Sequence, residues 1–252
     1  MDLGLGGKVA LVTGGSQGIG AAAAESLARE GASLVLSARG VENLAAVASA
    51  LEAAYGVQTL AVPADLRSEQ AVKDVVATAI ARFGRIDILF NNAGANRRGG
   101  PLDLDDHAWQ ADQQLRPLGY VRFCREVLPG MIERGSGVIV NNLGYASQTV
   151  LENYVAGSTV VGGLVNFTKM LAEQTAKHGV RVVGVHPGPI DTPRLAHWSG
   201  EELARIAAGI PLGRLGRPDE VGDLVAFLAS DRAAFITGSC VMIDGGASRR
   251  IG

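Results

Sequence analysis

Two cysteines in 252 residues are too few and too far apart to staple a small fold or to hold a metal. Cys124 and Cys240 each sit in an apolar segment and are expected as buried free thiols. Charge of one sign is scarce as well. The formal net charge is −2, and basic residues gather in nothing longer than short pairs such as Arg97-Arg98. That pattern speaks against a nucleic-acid footprint. No apolar run reads as long enough to span a bilayer. Met1 to Gly7 has neither the basic nor the apolar stretch of a secretory leader. The expectation is a soluble, cytoplasmic protein that binds neither nucleic acid nor membrane. Internal repeats and low-complexity linkers are missing too, which leaves one folded unit over 1–252.

What is present is apolar residue and glycine. Apolar side chains make up 47% of the chain and charged ones only 19%, enough to bury a sizeable core. Val9-Ala10-Leu11-Val12 reads as a strand buried on both faces. The glycine-rich Thr13 to Gly20 follows, and then an alanine-rich helix over Ala21 to Glu30. Such a turn needs residues without a Cβ where φ is positive or another group comes close. It also aims the free N–H groups of a helix start at one point, where the macrodipole favours an anion. The spacing G-x-x-x-G-x-G is a variant of the dinucleotide fingerprint. Its plain alternative is a tight β-α turn with no ligand.

Further strands are expected at Leu34 to Ser37, Val57 to Val62, Ile86 to Phe90, Val138 to Asn142, Val180 to Val185 and Cys240 to Ile243. Helices are expected at Val41 to Ala54, from Leu66 through Ala81, and at Asp105 to Arg134 with a break at Pro117. Others should run to about Lys177 and over Glu201 to Ala208 and Pro218 to Ala229. Strand–helix alternation at this spacing implies an α/β fold, a doubly wound parallel sheet of about seven strands (a Rossmann fold).

Five motifs in order resemble the short-chain dehydrogenase/reductase family from end to end. They are Thr13-Gly14-x-x-x-Gly18-Ile19-Gly20, Asn91-Asn92-Ala93-Gly94, Pro187-Gly188-Pro189-Ile190-x-Thr192, Pro211 to Pro218, and Asp244-Gly245-Gly246. The resemblance implies an oxidoreductase with a nicotinamide cofactor, a small-molecule substrate, and assembly as a homodimer or homotetramer. It implies that Gly14, Ser16, Gln17, Gly18, Ile19 and Gly20 line the phosphates, with Asp65 and Leu66 against the adenine. Asn92, Ala93 and Gly94 would flank the ribose, and Gly188, Ile190 and Thr192 the nicotinamide end. An acid ending the second strand would hold a ribose 2′-OH. The segment Leu36-Ser37-Ala38-Arg39 has none, and Arg39 can fork onto a 2′-phosphate. NADP(H) is therefore favoured, NAD(H) stays open, and the plain reading of Arg39 is a solvated loop residue.

The resemblance implies four catalytic positions, and here it breaks. A family tyrosine, near pKa 10 when unperturbed, is tuned by a lysine four residues later and aided by a serine and an asparagine. Counting back from Gly163 to Ala172 puts Gly157 at the tyrosine position, Val161 at the lysine, Gly144 at the serine and Arg116 at the asparagine. Tyr154 lies three residues before Gly157, about 4.5 Å lower and ~60° round if the helix has begun. It can reach the vacated space, or simply pack on the pocket rim. Tyr145, after Gly144, is a second candidate proton donor. Arg116 is expected to point inward and anchor a substrate carboxylate or phosphate, with a structural ion pair or an exposed position as alternatives. His186 reads as a strand-end histidine bonded to backbone. Asn96, Arg97 and Arg98 could rim the pocket, and Thr192 to Gly209, with Leu195, His197 and Trp198, would form a lid.

Three functions follow. One is an NADP(H)-dependent oxidoreductase working through substitutes. Another is a lyase, isomerase or decarboxylase on the same scaffold. The third is a non-catalytic nucleotide-binding subunit.

Overall fold

The computed structural model describes residues 2–95 and 97–249. Seven strands form one parallel sheet: β1 (Val9–Thr13), β2 (Ser33–Ala38), β3 (Thr59–Pro63), β4 (Ile88–Asn91), β5 (Gly137–Asn142), β6 (Val180–Pro187) and β7 (Cys240–Ile243). Their order across the sheet is β3-β2-β1-β4-β5-β6-β7. The order reverses between β1 and β4, so their carboxyl ends open a crevice where a ligand can enter. Eight helices connect and flank them: α1 (Gly18–Arg29), α2 (Val41–Tyr55), α3 (Glu69–Phe83), α4 (Asp106–Leu115), α5 (Leu118–Glu133), α6 (Val155–Thr175), α7 (Gly200–Ala208) and α8 (Pro218–Ala229).

The continuous apolar runs arise because both faces of the sheet are covered. Ala10, Val12, Leu34 and Leu36 pack toward α1, α2 and α8. Val9, Leu11 and Val35 point the other way, toward α3 and α5. The doubly wound α/β expectation holds. Several boundaries shift: α1 starts at Gly18 inside the glycine turn, β3 starts two residues late, and β6 runs on through Pro187. The long segment from Asp105 divides at Pro117, with α4 ending at Leu115 and α5 starting at Leu118.

Two expectations need correction. Cys124 is buried, but Cys240 is only half-buried, because β7 is the edge strand. The stretch Val155–His178 does reach spanning length and apolarity, with a mean hydropathy of 1.2 over its most apolar window. Its buried side, including Val160, Val161, Leu164 and Ala172, packs inside the fold. On its outer side Lys169 pairs with Glu173. Helix α7 is different: none of its residues is buried, and a capping box between Ser199 and Glu202 closes its first turn.

The tightest helix contact is α1 against α8. A Cβ at Gly222 would lie 2.6 Å from the Ala22 carbonyl oxygen and 2.8 Å from Ser26 Oγ. Gly222→Ala should therefore destabilise the fold by about 1–3 kcal/mol, the usual range for overpacking, and urea denaturation measures it.

Candidate active site

The crevice is built from the glycine turn upward. Gly14 has φ +67° and Gly18 φ +55°. A Cβ at Gly14 would lie 2.9 Å from Asn92 Nδ2, and one at Gly20 would collide with the Gly14 carbonyl oxygen. Gln17 caps α1 with no side-chain hydrogen bond, and no acid sits in the first turn. The amides of Gly18, Ile19 and Gly20 are thus at a helix start whose partial positive charge no side chain offsets, which fits a diphosphate.

Asn92 ties this turn to the neighbouring strands. Its Nδ2 donates to the Thr13 carbonyl at 3.0 Å, and its Oδ1 accepts from Asn142 Nδ2 at 2.9 Å. The Thr13 hydroxyl in turn accepts from the amides of Asn92 and Ala93. Beyond β2, Arg39 is exposed, and its charge together with Arg67 holds the Asp65 carboxyl below its ordinary range, Arg67 being the larger cause. Asp65 chelates Arg67 as an ion pair at 2.6 Å, while Leu66 is buried. On the far side, a Cβ at Gly188 would strike Asp244, and Ile190 pairs with Gly216 in an isolated bridge. Thr192 leans over Gly18, with Cγ2 3.3 Å from a Cβ built there.

Arg116 points inward, with 6% of its surface exposed. It makes no ion pair among the described residues, so the structural salt-bridge alternative fails. Its Nη2 donates to the Asn142 carbonyl at 2.6 Å, and its guanidinium lies 5.3 Å over the Tyr120 ring. The group presses on Gly94, where a Cβ would fall 2.6 Å from Nη1. Its Nε is buried with no partner among the described residues. That unused donor calls for an acceptor.

Tyr154 is the N-cap of α6, so the helix has not quite begun there. The ring nevertheless reaches the space beside Gly157. A Cβ built on Gly157 would run into its Cε1 and Cζ. The phenol occupies the slot where a side chain rooted at 157 would start. Val161, one turn on, is buried and apolar. Gly144 has φ +68°, a conformation that disfavours a side chain, and a Cβ there would meet nothing. Tyr145 follows Gly144, and burial pushes its phenol up, opposed by Arg98 and aided by Asp244 and Tyr154.

His186 holds this corner. Its Nδ1 lies 2.7 Å from the Gly144 carbonyl and 3.1 Å from Ser147 Oγ. Burial lowers its pKa, so the imidazole stays neutral and serves as a brace for the strained glycine. The reading of His186 as a strand-end histidine bonded to backbone holds, with the Gly144 carbonyl as its partner.

Over the mouth, Arg98 stands 5.9 Å from the Tyr154 ring and 5.1 Å from the Trp198 ring. Arg194 Nη2 is 3.5 Å from Tyr154 Oη. His197 rests against Trp198, with ring centroids 5.6 Å apart. A cleft of about 800 Å³ opens beside Tyr154, between residues 146–151 and the start of α6, with Arg249 on its wall. Asn96 lies outside the described residues.

Comparison with known proteins agrees with this geometry. The family model described as enoyl-(acyl carrier protein) reductase matches residues 14–248. D-threitol dehydrogenase of Mycolicibacterium smegmatis is 40% identical over 97% of this chain and 94% of its own. Cis-4-hydroxycyclohexanecarboxylate dehydrogenase of Sinomonas cyclohexanicum is 38% identical over 95% and 96%. The crystal structure of L-sorbose reductase from Gluconobacter frateurii, complexed with NADPH and L-sorbose, superposes with a TM-score of 0.95 at 35% identity and covers both chains fully. Sheet order, glycine turn and full-length similarity together place this chain in the short-chain dehydrogenase/reductase family of oxidoreductases.

Proposed function

We propose that the chain is an NADP(H)-dependent oxidoreductase that interconverts a carbonyl and an alcohol, with Tyr154 as its proton donor. The observation that carries this reading is the seat of the Tyr154 ring against Gly157. A phenol lost from the family position is replaced by one rooted a turn earlier. A dinucleotide held in the crevice would supply the hydride in reduction and accept it in oxidation.

The chain's own residues do the rest. The turn Gly14, Ser16, Gln17, Gly18, Ile19 and Gly20 holds the diphosphate, and Arg39 the 2′-phosphate. Asp65 and Leu66 border the adenine; Asn92, Ala93 and Gly94 border the ribose; Gly188, Ile190 and Thr192 border the nicotinamide end. In reduction, Tyr154 Oη gives a proton to the substrate oxygen, and in oxidation it takes one back. Tyr145, kept protonated by burial, donates a hydrogen bond to the same oxygen. Arg116 stands behind Gly94 and turns its guanidinium to the Asn142 carbonyl. NADPH in the matched L-sorbose reductase structure supports the choice of cofactor.

Calorimetry should find NADPH tighter than NADH. Arg39→Ala should cost about 1.5–3 kcal/mol for NADPH, the range for hydrogen bonds to charged groups, and little for NADH. Equal affinities in the unmodified protein would overturn the cofactor assignment.

Tyr154→Phe should lower kcat by about 10²–10⁴-fold, the worth of general acid–base help, and leave NADPH affinity unchanged. The check is absorbance at the reduced-nicotinamide band over a panel of ketones and secondary alcohols. Simple ketones should turn over slowly, because Val161 supplies no amine. Turnover without cofactor consumption would instead favour a lyase or isomerase, and NADPH binding with no turnover a non-catalytic subunit.

Arg116→Met keeps the buried stem but takes away the donor to the Asn142 carbonyl. It should cost about 1.5–3 kcal/mol in urea denaturation, the worth of a hydrogen bond from a charged group.

A further inference from the structure

The mouth of the site carries arginines that no carboxylate pairs with among the described residues. Arg97, Arg98, Arg194 and Arg249 all lie on the loops around Tyr154, and none of them makes an ion pair among the described residues. Nearby acids are engaged by backbone amides instead. Asp103 accepts from Gly100 N at 2.7 Å, Asp105 from Ala108 N at 2.8 Å, and Asp112 from Arg97 N at 3.0 Å. Asp244 accepts from Gly246 N and Ser248 N at 2.9 and 2.8 Å.

Arg98 is held by ring faces rather than by a carboxylate, with Tyr154 and Trp198 on its flanks. That contact fixes the plane of a guanidinium without using its N–H groups. Its place is set from below as well, since Gly99 N donates to the Asn153 carbonyl at 2.7 Å. Arg194, in the short turn Pro193–Leu195, brings a second guanidinium to the Tyr154 hydroxyl. Two forks therefore approach one phenol from opposite walls, one from the loop after β4 and one from the lid.

We propose that Arg98 and Arg194 form a clamp over Tyr154 that selects substrates bearing a carboxylate or phosphate close to the carbon–oxygen group on which Tyr154 acts. This rests on the reading of Tyr154 as proton donor. A planar fork matches either oxyanion in bidentate fashion, and a neutral polyol or simple ketone leaves both forks unpaired. Trp198 closes the clamp from the lid, so ligand charge and lid position are linked through Arg98.

The test is calorimetry on protein first saturated with NADPH, which fills the diphosphate and Arg39 subsites. Malonate and inorganic phosphate are the probes, and malonamide is the neutral control. Saturable binding of at least one anion is expected, with none for malonamide. The tighter anion distinguishes a carboxylate substrate from a phosphorylated one. Arg98→Ala and Arg194→Ala should each weaken that binding at least about tenfold, with unchanged NADPH affinity and Tm. Lysine at either position should recover only part of it, since it keeps the charge and loses the fork. Absence of anion binding, equal binding of malonamide, or full affinity in both alanine variants overturns the clamp and leaves the oxidoreductase reading standing. Failure of NADPH to bind at the outset overturns both.

Discussion

Asn92 is the residue on which the active edge of the sheet depends. Three parallel strands end side by side there, and parallel ladders leave their last carbonyls and side chains unpaired. One side-chain amide closes the gap in both directions, toward Thr13 on β1 and toward Asn142 on β5. The Asn142 carbonyl then receives Arg116 and Tyr120. A continuous run of hydrogen bonds thus joins the glycine turn to the α4–α5 junction. Both sides of the crevice share one frame, and the buried guanidinium is part of it.

This frame holds the shape of the crevice whatever side chains line it. Gly157 leaves room for the ring of Tyr154. A neutral His186 braces the left-handed turn at Gly144. Tyr145, Tyr154 and the arginines of the loops stand around this corner.

Much of the fold was legible in the sequence, because strands buried on both faces are written as unbroken apolar runs and glycine turns as spaced glycines. Pro117 announced the break between α4 and α5. The edge position of β7 was not legible, so Cys240 was misjudged as buried. Nor could hydropathy tell α6 from a membrane span, since a helix packed against a sheet needs the same apolar length. In the site, the inward aim of Arg116 followed from its position in the helix register. That a carbonyl and a ring face, rather than a carboxylate, receive it did not, because such partners leave no mark in residue identity. The pairing of Arg98 with Trp198 joins residues one hundred positions apart, and only the folded chain shows it.

The capping box on α7 has a consequence for how the site is covered. A nine-residue helix with no buried residue has little tertiary packing to hold it, and a helix that short is marginal on its own. Ser199 and Glu202 satisfy its first amides locally, so its first turn is already ordered before anything binds beneath it. Covering a ligand then demands displacement of a preformed cylinder about its ends, with few backbone torsions left to freeze. A segment ordered in this way has little conformational entropy left to lose when it moves as a unit.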